Sequence, residues 1–379
     1  MNKITKFVVL VAVCLLGLFG CNEKASNDYL VYDFRGKFGY VDRKGNVVIE
    51  PQFDNAKSFS EGLAWAEKDG RTGYIDHTGV FVIELDAKDG SPFSDGCAKI
   101  WTGGGYPDSY INKQGEVIID GKLFDYVHEM SEGMVVVNKD GKYGVLDKNG
   151  NQIVAPKFKE CQDFSDGLAW IKMSRKWGCV DKKGNMVIDT NYISINNFHE
   201  GLAFVWIDND RPVCIDKKGN VVIKELPKGL HRSDYLIFSE GLACIKVDGK
   251  YGYIDKTGEF AIEPQFYSAS NFSCGLALIM TENAMHGYID KTGRIVIEPK
   301  YEMAGNFSEG LAPVCLKNGT LEKRKYFFID KKEHLVCDSL SCWSSSFKDG
   351  IAKIDDYDEG INYVDNKGRV LINRNFSYK

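Results

Sequence analysis

Paired cysteine spacing is missing from this sequence. Its eleven cysteines include no Cys-x-x-Cys, and setting aside Cys14 and Cys21 leaves nine, an odd number, so neither a metal site nor a complete disulfide framework is legible. Cys337 and Cys342 stand close enough in sequence to be considered as a pair. Histidine is scarce as well. His77, His128, His199, His231, His286 and His334 stand in separate stretches without His-x-x-x-His spacing, which argues against zinc and against a nucleophile–base pair. Gly-x-Ser-x-Gly and Gly-x-x-x-x-Gly-Lys do not occur, which removes the nucleophile elbow and the phosphate loop. Gly103-Gly104-Gly105 is the one glycine run, and it reads as a loop tip. Basic excess is lacking too. Lys3 and Lys6 are two of 48 Lys and Arg, so residues 21–379 carry 46 basic against 53 acidic side chains, a balance of −7. Such a chain offers no field to attract nucleic acid. Long amphipathic helices are not apparent.

A long apolar stretch occurs once, at the start. Lys3 and Lys6 precede the apolar Phe7–Leu18, and Leu18-Phe19-Gly20-Cys21 follows. The stretch is too short for a membrane-spanning helix and reads as an export signal. Leu-x-Gly-Cys resembles the lipobox of bacterial lipoproteins, which implies residues 1–20 as signal peptide and Cys21 as the lipidated residue. Polar residues 21–28 then suit a tether. Acyl chains on Cys21 can hold a domain at a bilayer surface, each buried methylene contributing about 0.8 kcal/mol. The residue after Cys21 is not Asp, which resembles an outer-membrane sorting pattern. The expected location is the cell envelope, at the outer membrane or cell surface.

Residues 29–379 are one unit written about ten times. Phe-Ser-acid-Gly-Leu-Ala recurs with its glycine at Gly62, Gly96, Gly133, Gly167, Gly201, Gly241, Gly275, Gly310 and Gly350. The steps are 34, 37, 34, 34, 40, 34, 35 and 40 residues. In the same phase, Tyr-Ile-Asp-Lys-x-Gly places its acid or amide at Asp42, Asp76, Asn112, Asp147, Asp181, Asp216, Asp255, Asp290, Asp330 and Asp365. A third segment follows each such turn, as in Asn46–Phe53, Glu259–Phe266 and Arg294–Tyr301. Asp-Lys-x-Gly combines a side chain that caps turn amides with a glycine able to take positive φ, so each unit of about 35 residues predicts three short strands joined by hairpins.

Lys176-Trp177-Gly178, with its variants Lys37-Phe38-Gly39, Lys142-Tyr143-Gly144 and Lys250-Tyr251-Gly252, resembles the WG-repeat or KWG-type repeat family of bacteria from about Tyr29 onward. The resemblance implies an all-β repeat fold and lends no reaction, cofactor or metal. Pro212-Val213 and Tyr326-Phe327 depart from it by losing the glycine, and Glu333 replaces a turn glycine; distorted turns are expected there. A unit this small must stack on neighbours. Ten units exceed the four to eight blades usual in propellers, which favours an open or superhelical β-array over a closed, propeller-like ring.

Strand alternation assigns Ala64 and Ala66, Ala98 and Ile100, and Ala169 and Ile171 to a small apolar core face. Between them one position changes from copy to copy: Trp65, Lys99, Val136, Trp170, Phe204, Cys244, Leu278, Pro313 and Lys353. Trp101 and Trp206 lie two residues further along their strands. Trp65, Lys99, Trp170, Phe204, Trp101 and Trp206 are therefore the candidate ligand-binding residues, because aromatic faces stack on sugars or anchor proteins. The alternative for this row is packing against an adjoining strand. The repeated tyrosines and turn aspartates recur in unit after unit, which fits one structural task rather than catalysis. The expected function is a non-catalytic, lipid-anchored scaffold for an envelope or extracellular protein, with polysaccharide or cell-wall binding as the alternative and an enzyme ranked third. Any site departing from the repeat is expected in the longer linkers, Ile223–Ile237 or Leu316–Tyr326.

Overall fold

The computed structural model describes residues 29–105, 107–209, 211–231, 234–316, 325–337, 346–356 and 360–371. The expected leader, Cys21, the tether and Cys342 lie outside the described residues. Among the described residues the chain is all-β, with a single 3-10 turn at Gly121–Leu123. Each unit is a small antiparallel meander.

Unit 4 shows the plan. Its strands Met134–Lys139, Lys142–Asp147 and Gln152–Phe158 pair in chain order. A two-residue strand, Tyr126–Val127, adds to the free edge of the first. That fourth strand was not expected from the sequence. It is the end of the connection from the preceding unit, and in Ile295–Ala304 third strand and connection are continuous, fusing units 8 and 9 into a six-stranded sheet.

The glycine of Trp-Gly makes this economy of chain possible. A Cβ at Gly144 would stand 2.7 Å from the Val154 carbonyl oxygen and 2.8 Å from the Pro156 nitrogen, and Gly39, Gly252 and Gly287 meet the equivalent atoms. The third strand bulges there: Tyr143 pairs with Phe158, whereas Val145, two residues on, pairs with Val154, four residues back. Two additional residues arch over the glycine, and Pro156 tolerates the arch because a bulge needs no ladder N–H. Bent in this way, the strand runs directly into the next unit.

Where the glycine is lost, the chain detours. Ser109 occupies the position in unit 3; the third strand ends at Ile119 and the turn Gly121–Leu123 follows, its Gly121 N–H donating to the Ser109 hydroxyl. Val213 occupies it in unit 6, where the third strand ends at Ile223. Phe327 occupies it in unit 9, where the third segment pairs through an Ile329–Leu335 bridge among the described residues. These are the units crossed by the 37- and 40-residue steps. Glu333, by contrast, keeps its turn intact: it adopts φ +66° and donates its N–H to the Asp330 carbonyl at 2.9 Å, so the distortion expected there is absent.

The core lies between units. Val136, Val145, Val154 and Phe158 of unit 4 pack with Ala169, Ile171 and Val180 of unit 5. Polar contacts repeat at the same junctions. Ser131 Oγ donates to the Phe164 carbonyl at 2.7 Å, and Lys182 Nζ to the Glu132 carbonyl at 2.8 Å.

The same contacts join the last unit to the first. Arg43, at the lysine position of unit 1, donates to the Asp349 carbonyl of unit 10. Gly45 approaches the Leu371 carbonyl as Gly150 approaches that of Ile118. Leu30, Tyr32 and Val41 share a core with Ile351, Tyr363 and Leu371. The array is therefore closed into a propeller-like ring, which corrects the preference for an open one: the rotation at each junction is such that ten of them return the chain to its start.

Gly144→Ala is expected to lower unfolding free energy by about 3 kcal/mol, the upper range for forcing an atom into a packed site. Gly141, at φ +69° with open space around it, should lose about 1 kcal/mol on the same change. Urea midpoints of the two variants check the difference.

Candidate functional site

The changing row expected at a binding surface is interior. Trp65, Trp170, Phe204 and Trp206 are each 2 % exposed or less, and Lys99 is 9 % exposed. This corrects the sequence expectation, which took the row opposite Ala64 and Ala66 to face outward. The first strand has a packed unit on each side, so both of its faces are core. Variation along the row is matched across the junctions. Trp65 fills the space left by Gly90 on the next unit's short strand. The Trp170 indole donates to the Asn196 carbonyl at 3.1 Å, while the Trp206 Nε1 is buried without a partner. Lys99 lies 2.8 Å from Glu129 and 3.2 Å from Asp108; burial disfavours its charge, but those carboxylates more than compensate and hold its pKa above the usual lysine value. Trp101 alone of the six is exposed, at 47 %, with Lys88 Nζ 5.5 Å over its ring.

The repeated acids and tyrosines are committed to turns and junctions. Asp42 Oδ1 accepts the Lys44 and Asn46 amides at 2.8 and 2.9 Å. Hydrogen bonds from the side chains of Asn46, Thr257 and Thr292 hold Asp42, Asp255 and Asp290 below the usual carboxylate range. Glu132 takes φ +53° in a two-residue hairpin, and its carboxylate accepts the Gly167 N–H of the next unit at 3.0 Å. The Tyr74 and Tyr253 hydroxyls donate to the carbonyls of Ser91 and Ser270, at 2.8 and 2.6 Å, and burial pushes both well above the ordinary tyrosine value.

One cleft departs from the repeat. The detour that follows Val213 brings Asp234 and Tyr235 beside Lys246 and Tyr251 of unit 7, with Asn271 and Asn306 from the next two units, around a volume of about 350 Å³. Unit 5 has the closed version of the same place. There Lys172 stands over the Trp177 ring at 5.0 Å and pairs with Glu160 at 2.8 Å, with Trp170 filling the floor. In unit 7 Lys246 stands over Tyr251 at 5.4 Å with no ion-pair partner among the described residues, and Cys244 takes the position of Trp170. Burial pushes the Cys244 thiol up to about 12, so the floor is a neutral thiol and not a nucleophile. Ser270 Oγ donates to Asn306 Oδ1 at 2.8 Å, and Asp234 Oδ2 accepts the His231 amide at 2.7 Å. The Asn306 amino group and the Asn271 amide remain available among the described residues. The arrangement offers a cation, a carboxylate and amides around one cavity, a set that can bind a polar ligand. Sequence reasoning pointed to the linker Ile223–Ile237 but missed the cleft, whose signal was the 40-residue step beside a lost glycine.

A family model described as WG containing repeat matches residues 38–71, 109–143, 143–177, 177–209, 234–251, 251–283 and 287–320. No curated protein matches the sequence. Among solved structures, a eukaryotic initiation factor is similar at 10 % identity and TM-score 0.49, covering 90 % of this chain and 94 % of that one. BamB from Moraxella catarrhalis is similar at 13 % identity and TM-score 0.37, covering 86 % and 95 %. The computationally designed Ika8 protein is similar at 14 % identity and TM-score 0.39, covering 74 % and 98 %. Ring closure rests on the contacts between units 1 and 10.

Trp65→Ala and Trp170→Ala should each cost about 3–5 kcal/mol, as for buried tryptophans elsewhere, read as a fall in urea midpoint. The turn aspartates make stability pH-dependent. Their folded pKa values are depressed, so their contribution is full above the unfolded value near 3.9 and is lost as pH falls through the folded values. Melting temperature followed from pH 7 to pH 2 should hold steady to about pH 4 and then drop.

Proposed function

The chain belongs to the WG containing repeat family, whose model covers more than half of it, and from that premise we propose a non-catalytic scaffold, anchored by lipid on Cys21 to a bacterial envelope membrane, that engages an envelope or extracellular protein. The observation that carries this reading is where the exposed aromatic side chains lie. Among the described residues these are Phe34, Trp101, Tyr126, Tyr235 and Tyr267. Phe34 and Trp101 end the first strands of their units, Tyr126 pairs near such an end, and Tyr267 directly precedes one that does. Phe34, Trp101, Tyr126 and Tyr267 therefore lie on the ring face away from the Phe-Ser-acid-Gly turns, spread over several units, whereas the Tyr235 hydroxyl stands 3.5 Å from His199 of one such turn. Dispersed aromatics on a mixed polar face suit a broad protein interface, where a few such anchors supply most of the affinity.

The anchor is consistent with that face pointing outward. Tyr29 begins its strand at the opposite end, beside the Asp42 turn with which it pairs. Residues 21–28 reach about 25–30 Å when extended. A lipid on Cys21 would thus hold the turn face toward the bilayer and leave the aromatic face free.

Two measurements test the reading. Incorporation of a labelled fatty acid should be seen in the intact chain and vanish in Cys21→Ser. A pull-down from envelope extract should recover a discrete protein, and Trp101→Ala with Tyr126→Ala and Tyr267→Ala should reduce recovery about tenfold or more at unchanged melting temperature. Saturable co-sedimentation with peptidoglycan or envelope polysaccharide, competed by soluble sugar, with no protein recovered, would replace the protein partner by a glycan.

A further inference from the structure

We propose that the cleft between units 7 and 8 is a binding site for one residue of an acidic sugar, a polyhydroxylated ring carrying a carboxylate. This goes beyond the scaffold reading and does not depend on it.

Units 5 and 7 carry twin sites that differ in two places. In unit 5 the lysine on the first strand has its carboxylate, Glu160, at 2.8 Å, and Trp170 fills the volume beneath. In unit 7 both closures are undone: Lys246 has no carboxylate within ion-pair distance among the described residues, and Cys244 replaces the tryptophan. What remains is a cavity of about 350 Å³ that Lys246 and Asp234 both line without forming an ion pair with each other. A ligand carboxylate completes the ion pair that Glu160 makes in unit 5. The other groups fix the rest of the ligand. Asn271 and the Asn306 amino group offer donors, and the Asp234 carboxylate offers an acceptor, a mixed set that matches ring hydroxyls and not a bare anion. Tyr235, 64 % exposed at the rim, presents an aromatic face for the apolar side of a sugar ring. The volume lies within the range of small-molecule sites.

The test is calorimetric titration of the full chain in detergent with D-glucuronic acid, with D-glucose and acetate as probes lacking the carboxylate and the ring. The proposal expects saturable binding of glucuronate, weaker by about tenfold or more for either control. Lys246→Ala and Tyr235→Ala should each cost about tenfold at unchanged melting temperature, and Lys172→Ala should cost nothing. Cys244→Trp, which restores the side chain of the closed twin, should abolish binding while the ring stays folded. Absence of saturable glucuronate binding, equal affinity for glucose or acetate, or an undiminished Lys246→Ala variant would each overturn the proposal. None of these outcomes touches recovery of a protein partner on the aromatic face.

Discussion

A carbonyl oxygen lying where a side chain would otherwise begin is the constraint on which the ring depends. In unit after unit the third strand bends so that its backbone rests on the glycine of the second, with oxygen and nitrogen atoms inside the distance that any Cβ would demand. That contact aims the strand end at the next unit, so sheet and connection become one piece of chain. Units without the glycine cannot make the bend. They still build their first two strands, because those depend on hairpin turns and apolar burial, and then need three to six more residues to arrive at the same place. The unequal steps of the repeat thus have a steric origin.

Given that direct hand-over, the polar groups of the repeat have little freedom. An acid in the left-handed region of a hairpin is an odd choice, since asparagine or glycine would adopt the conformation at lower cost. Its reach explains it: the carboxylate of Glu132 spans the junction to an amide of the following unit. The tyrosine hydroxyls and serine hydroxyls span the same junctions from other heights in the sheet. Groups that would suggest chemistry in an isolated motif are here parts of a seam.

Much of this was legible in the sequence. The phase of Phe-Ser-acid-Gly and Tyr-Ile-Asp-Lys-x-Gly gave the all-β unit, the strand order and the structural role of the aspartates, because turn chemistry is local. The variable row was misplaced, since alternation distinguishes two faces of a strand but cannot say that both are covered; Trp65 and Trp170 vary because their neighbours vary with them. Ring closure was hidden for a related reason. Nothing in residues 29–53 or 346–371 taken singly marks them as partners, and only the summed rotation of the intervening junctions brings Arg43 to Asp349. The cleft at Lys246 was half visible: the linker stood out by length, whereas the vacancy beside the lysine is a property of two units compared in space.

Closure also fixes how such a protein can change. An open stack can be lengthened or shortened by whole repeats, each new copy finding the same neighbours as the last. In a ring whose first and last cores are shared between Leu30, Tyr32, Val41 and Ile351, Tyr363, Leu371, adding one copy alters the angle required of every junction at once. Copy number is then held by geometry, and novelty enters through the places where the chain already leaves the pattern: the segments after Ser109, Val213 and Phe327, where residues can be exchanged or inserted without disturbing the circle.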